Sequence, residues 1–131
     1  MADAGIAPLL RRCGDVLGVA PRAQLSVRLT DDSELRALNE RFLGHAEPTD
    51  VLAFPAGDEA GAPQRAGGRV GDIAISVERA LTQPDGVAEL RLLSVHGLLH
   101  CLGHDHGAPD EAATMTALTR RLLPGQPVPD L

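Results

Sequence analysis

Residues 96–106 read HGLLHCLGHDH and contain four of the five histidines of the chain. His96 and His100 are four residues apart, so on a helix they share one face, with about 6 Å between them. Two imidazoles at that separation can bind one tetrahedral metal ion. Gly103 permits a sharp turn that can bring His106 round as a third ligand. Three histidines leave one position for water, which is typical of a catalytic rather than a structural zinc site.

The segment matches the zinc-protease pattern H-E-x-x-H-x-x-G-x-x-H, except that Gly97 stands in place of Glu. That Glu is the general base of peptide hydrolysis. The sequence therefore predicts a metzincin-like histidine site on the central helix without the peptidase base. Zinc can still activate a water and polarise a carbonyl or phosphoryl oxygen. We expect a hydrolase that binds one divalent metal ion, with zinc as the expected cofactor.

Neighbouring residues have two possible roles each. His104 lies inside the turn, where it is either exposed to solvent or acts on substrate or a proton. Asp105 either orients a ligand imidazole or stabilises the turn. His45 has no partner nearby in the sequence, and we expect it on the surface. Cys101 follows His100 directly, so it should point about 100° away from the ligand face.

The composition indicates one globular domain over residues 1–131, with 44% hydrophobic residues and a net charge of −6. The acidic balance argues against nonspecific binding of nucleic acid. All twelve basic residues are arginines, which excludes Schiff-base chemistry on a lysine. Two distant cysteines, no apolar leader and no apolar run of membrane length predict a cytoplasmic protein without disulfides or membrane contact.

Apolar periodicity predicts alternating helices and strands. The expected elements are a helix ending near Gly18, a strand over Gln24–Leu29, a helix capped within residues 31–33 and ended by Gly44, strands over Val51–Phe54 and Val70–Ser76, a short helix from Ser76 to about Gln83, a long buried helix over Val87–Leu102, and a last helix capped by Asp110. Residues 55–69 read as a loop and residues 124–131 as a loose tail. Phe42 and Phe54 either stack on bases or, as we expect, pack in the core.

Two segments upstream of the histidines carry further recognisable patterns. Residues 39–55 read NERFLGHAEPTDVLAFP, and residues 71–76 read GDIAIS. With the histidine segment, they resemble the patterns N-x-x-[FY]-x-G-x-x-x-P-T-D-V-L-S-F-P, G-D-I-x-I-S and H-G-x-L-H-x-x-G-[YH]-D-H. These belong to the YbeY family of bacterial endoribonucleases, also called rRNA maturation factors. The resemblance covers residues 24–122 in order.

The resemblance implies an α+β fold, with a mixed four-stranded sheet packed by about five helices. It implies a metal ion, usually taken as zinc, on His96, His100 and His106. It also implies cleavage of single-stranded RNA in 3′-end processing of the 16S rRNA precursor and in ribosome quality control. The implied partners are the small ribosomal subunit and the GTPase Era.

Two positions depart from the family pattern. Leu43 stands where many members have an Arg that is thought to bind RNA phosphate. Arg41 can replace it only by pointing in another direction, because residues i and i+2 do not share a helix face. Ala53 replaces the usual Ser. Thr49 and Asp50 match the family segment, where they either cap the turn and strand or line the active cleft.

Two other functions are consistent with the sequence. The first is a zinc hydrolase of a peptide or small molecule, against which Gly97 counts. The second is a non-catalytic ribosome assembly factor whose metal holds the fold, which fits the acidic charge, Leu43 and the presence of only two aromatic residues.

Overall fold

The computed structural model describes residues 5–20, 22–44, 49–55, 69–104 and 107–129. Within these ranges it has five helices and three strands. They are α1 (Ile6–Leu17), β1 (Gln24–Thr30), α2 (Asp32–Leu43), β2 (Val51–Pro55), β3 (Arg69–Ser76), α3 (Val77–Leu81), α4 (Gly86–Cys101) and α5 (Pro109–Leu122). The α+β class and the five helices are confirmed. The described residues form three strands rather than the four that the resemblance implies, and residues 56–68 of the predicted loop lie outside them.

The strands form one mixed sheet in the order β1-β3-β2. β1 is parallel to β3, with Val27 opposite Ile73, whereas β2 is antiparallel to β3, with Ala53 opposite Ile73. β3 is almost continuously buried because helices cover both faces of the sheet. Ile73 belongs to the main core with α1, α4 and α5, while Ala74 joins a smaller cluster with Leu35 of α2.

α4 is the central helix of the molecule and is apolar almost all round, as its sequence predicts. The Asp85 side chain caps its first turn by accepting a hydrogen bond from the Ala88 N–H at 3.0 Å. At the other end, the Gly103 N–H donates to the His100 carbonyl at 3.0 Å. Gly103 has a φ of 98°, so it ends the helix in a conformation that favours glycine. Both ends of the helix are therefore fixed locally.

Three sequence predictions differ from the structure in detail. Ala108, not Asp110, is the N-cap of α5, because Pro109 takes the first helical position, which suits its fixed φ. The short helix ends at Leu81 rather than near Gln83. Residues 124–129 are non-helical, but they pack against the core and do not form the loose tail that the sequence predicts. Val128 is buried, and Gln126 Nε2 donates to the Ala88 carbonyl at 2.7 Å.

None of the helices in the described ranges is both long enough and apolar enough to span a bilayer.

Candidate functional site

His96 and His100 interrupt the buried part of α4. Both are partly exposed, and every other residue from Leu92 to Cys101 is buried. The spacing of four residues places the two imidazoles on one face of α4. The Nε2 atom of His96 is itself buried, which places a nitrogen donor within the protein interior. Imidazole nitrogen is a preferred ligand of zinc, so this pair fits the predicted metal.

The neighbouring face of α4 packs against the sheet. A Cβ atom on Gly97 would lie 2.6 Å from Ile73 Cγ2, and one on Gly71 would lie 2.8 Å from Cys101 Sγ. Residues 97 and 101 therefore face β3, and each histidine lies about 100° round the helix from one of them. Burial and the charge of Asp72 raise the pKa of Cys101 to about 11, so this thiol is protonated at neutral pH. The predicted orientation of Cys101 agrees with this packing.

The third predicted ligand, His106, lies outside the described residues, as do Asp105 and His45. Among the residues that the structure does describe, no three His, Cys, Asp or Glu side chains lie close enough together to hold a metal ion. The metzincin-like site with three histidines therefore remains a prediction. Its first two members are on one helix face, as the spacing predicts.

His104 lies directly after the α4 terminus and is partly buried. Its backbone N–H donates to the Leu99 carbonyl at 2.9 Å, which continues the hydrogen bonding of the last helical turn. The residue lines a small polar pocket of about 190 Å³ with Asp110, Glu111 and Thr114 of α5. His104 is therefore neither fully exposed nor placed by these contacts on the histidine face.

Thr49 and Asp50 lie at the start of β2 and are both partly buried. Thr49 Oγ1 donates to the Val51 carbonyl at 3.2 Å, which is a local turn contact. The Asp50 carbonyl accepts the Ser76 N–H at 2.9 Å and extends the pairing of β2 with β3. These backbone and hydroxyl bonds are typical of a strand-capping segment. The charge of the Asp50 carboxylate acts on Glu89 of α4.

Glu89 is a candidate site residue that the sequence reasoning missed. It precedes His96 by seven residues and His100 by eleven, so all three fall within about 40° on the helix. Partial burial and, to a smaller degree, the nearby charge of Asp50 raise the pKa of Glu89. The helical spacing from the histidines was the signal in the sequence that could have identified it.

Comparison with known proteins identifies the family. The family model described as "Endoribonuclease YbeY" matches residues 2–125. This chain belongs to the YbeY family. The protein named Endoribonuclease YbeY of Rhodopseudomonas palustris (strain HaA2) is 43% identical over 118 residues, which cover 82% of this chain and 60% of that protein. The protein of the same name from Thermobifida fusca is 40% identical over 128 residues, covering 92% of this chain and 83% of that one.

This chain spans about three fifths of the length of the Rhodopseudomonas protein. A solved structure supports the fold. The solution structure of TM1509 from Thermotoga maritima matches with a TM-score of 0.54 and 23% identity, covering 90% of this chain and 79% of that protein.

Leu43, which stands where the resemblance leads us to expect a family arginine, lies at the end of α2. Arg41, Phe42 and Leu43 are the last three residues of that helix. Phe42 is 57% exposed, so the expectation that it packs in the core is wrong. Phe54 is partly buried against the smaller core cluster. The ring centroids of Phe42 and Phe54 are 5.6 Å apart, and the Arg41 guanidinium carbon lies 5.1 Å from the Phe42 centroid.

Proposed function

We propose that this chain is a metal-dependent, single-strand-specific endoribonuclease of the bacterial cytoplasm. It would act in 16S rRNA 3′-end maturation and ribosome quality control, next to the small ribosomal subunit and Era. Membership of the YbeY family and the names of its relatives support the ribonuclease activity. The observation that carries metal dependence is the histidine pair of α4, the only partly exposed positions from Leu92 to Cys101.

His96, His100 and His106 would hold the ion, which when bound lowers the pKa of a water and polarises a phosphodiester oxygen. A spacing of four residues puts the first two imidazoles on one helix face, and the residues on either side of them in α4 are buried. Gly97 supplies no general base, and a carboxylate there would have to displace Ile73. This packing counts against a peptidase and in favour of a substrate that carries its own nucleophile, such as the 2′-hydroxyl of RNA.

Glu89 and Asp50 extend the histidine face toward the start of α4. Glu89 lies about 10 Å from His96 along the helix axis, too far to exchange a proton with a group held between the histidines. We therefore assign this pair no part in bond cleavage.

The first test combines metal content with RNA cleavage. Wild type should contain about one zinc ion per chain and cleave single-stranded RNA, as expected for a three-histidine site. His96→Ala and His100→Ala should lose metal and cleavage together while circular dichroism shows a folded protein. His45→Ala is the matched control and should retain both. Product ends identify the nucleophile: a cyclic phosphate indicates the 2′-hydroxyl, and a 5′-phosphate indicates water.

Other outcomes would favour the alternatives. Metal binding without cleavage of any RNA would support an assembly factor, especially if chelation unfolds the chain. Cleavage of peptides or small esters, but not of RNA, would support a zinc hydrolase of another substrate. Cleavage that persists in His100→Ala would contradict the metal mechanism.

A further inference from the structure

The only two aromatic side chains of the chain touch each other at the protein surface. Phe42 and Phe54 meet nearly edge to face, with an interplanar angle of 67°. More than half of Phe42 remains exposed, although its partner packs against the core. An isolated exposed apolar residue needs no explanation. An exposed ring that is fixed by a second ring is instead a rigid, flat surface.

Arg41 gives this surface a positive charge. Its guanidinium lies over the Phe42 ring in cation–π geometry, and Arg41 itself is exposed. Unpaired nucleobases stack on both aromatic rings and guanidinium planes, whereas paired bases cannot. The combination suits a base together with its phosphate.

The Phe54 end of β2 lies next to Cys101, the last residue of α4. The Phe54 carbonyl and the Cys101 thiol both pack against Gly71, at 2.5 and 2.8 Å from the position that a Cβ atom would take there. Cys101 directly follows His100. The edge strand β2 therefore has the aromatic pair on its α2 side and the end of the histidine helix on its α4 side.

We propose that Phe42, with Arg41 stacked on it, binds one unpaired base of single-stranded RNA, and that Arg41 contacts the adjoining phosphate. The substrate class rests on the proposed function, but the binding step is testable without cleavage. Duplex RNA should not occupy this surface, since its bases are already stacked and paired.

Binding can be measured by fluorescence anisotropy with a labelled 2′-O-methyl oligoadenylate, which resists attack by its own 2′-oxygen. Phe42→Leu keeps an apolar side chain against Phe54 but removes the ring, and it should weaken binding about tenfold. Arg41→Gln should reduce the slope of log affinity against log salt by about 0.7, the value for one phosphate contact on a single strand. Phe42→Leu should leave that slope unchanged.

The absence of Trp and Tyr from the chain permits a direct stacking measurement. Phe42→Trp introduces the only indole, and its emission should be quenched by the oligonucleotide while binding is retained. Leu81→Trp is the matched control, because Leu81 is 59% exposed and lies on α3. α3 contacts the opposite end of α2 through Arg79 and Asp32. The control should show no quenching.

The proposal is overturned if Phe42→Leu binds within twofold of wild type, if Phe42→Trp is not quenched, if a duplex binds as well as the single strand, or if wild type binds no RNA. These results are separable from those on the proposed function. In cleavage assays, Phe42→Leu should raise KM and leave kcat unchanged. Cleavage that requires His100 but ignores Phe42→Leu overturns only the stacking site. Quenching without cleavage supports the stacking site and contradicts the nuclease.

Discussion

At the scale of single residues, Gly97 shows how the site and the core constrain each other. Its missing side chain lets α4 approach β3, where Ile73 fills the space that a Cβ atom would need. Peptidases of similar spacing have their general base at this position. Here the position belongs to the helix–sheet contact, so the core excludes that chemistry as effectively as the absence of the residue itself.

We therefore predict that Gly97→Ala lowers the free energy of unfolding by about 1–3 kcal/mol, because the new methyl group overpacks the core. Urea denaturation followed by far-ultraviolet circular dichroism measures this change. Gly14→Ala is the matched control in the last turn of α1, where the added Cβ would make an ordinary 3.6 Å contact. It should stabilise the protein by about 0.5–1 kcal/mol. Equal effects of the two variants would contradict the packing argument.

Glu89 should make stability depend on pH. Its pKa in the folded state lies above the ordinary value of 4.5, so the folded protein binds this proton more tightly than the unfolded chain. Its contribution is complete below the unfolded pKa and is lost as pH rises through the folded pKa. Unfolding measured from pH 4 to pH 7 should show Glu89→Gln gaining stability relative to wild type.

Glu34 is the control of opposite sign, because its hydrogen bond with Arg28 lowers its pKa. Its contribution is present above the unfolded pKa and is lost as pH falls. Glu34→Gln should therefore lose stability relative to wild type over the same rise in pH. A parallel response of both variants would contradict the two assignments.

At the scale of elements, the two helix starts differ in how well the local sequence predicts the cap. The Asp85 side chain caps α4, whereas Asp110 lies inside the first turn of α5. Asp85→Ala should cost about 1 kcal/mol of unfolding free energy through the lost cap. Asp110→Ala should cost only a few tenths through the helix dipole. Thermal unfolding of the two variants tests this, and a larger loss in Asp110→Ala would contradict the observed cap.

The same contrast explains which elements could be predicted. β1 and α4 follow from short-range periodicity, so their bounds agree with the sequence within one residue. The cap of α5 was misplaced because Pro109 and Asp110 both favour a helix start, and the proline took the first position. Phe42 was misassigned because its spacing on α2 continues the apolar stripe beyond the point where the smaller core ends. An apolar stripe indicates which face of a helix is buried, but not how far along the helix the core covers that face.

At the scale of the whole molecule, the histidine pair could be predicted because both residues lie on one helix. The spacing fixes their common face, and burial of the other residues from Leu92 to Cys101 leaves these two positions partly exposed. Glu89 was missed because its raised pKa comes from partial burial and, to a smaller degree, from Asp50, and both depend on how other segments pack around α4. The tail was misjudged for the same reason. Its proline-rich composition excludes a helix, but nothing local in it indicates the contact of Gln126 with α4.

The tail gives the last prediction, because it closes the core at the start of the histidine helix. Val128 is 9% exposed and joins the main core, whereas Val16 of α1 is 51% exposed. Val128→Ala should therefore cost about 1.5–2 kcal/mol of unfolding free energy, from two lost methyl groups and the space that they leave. Val16→Ala should change stability by no more than about 0.5 kcal/mol, since alanine is also the better helix former. Calorimetry measures both variants. Equal stability of Val128→Ala and wild type would contradict the packing of the tail and support the loose segment that its composition predicts.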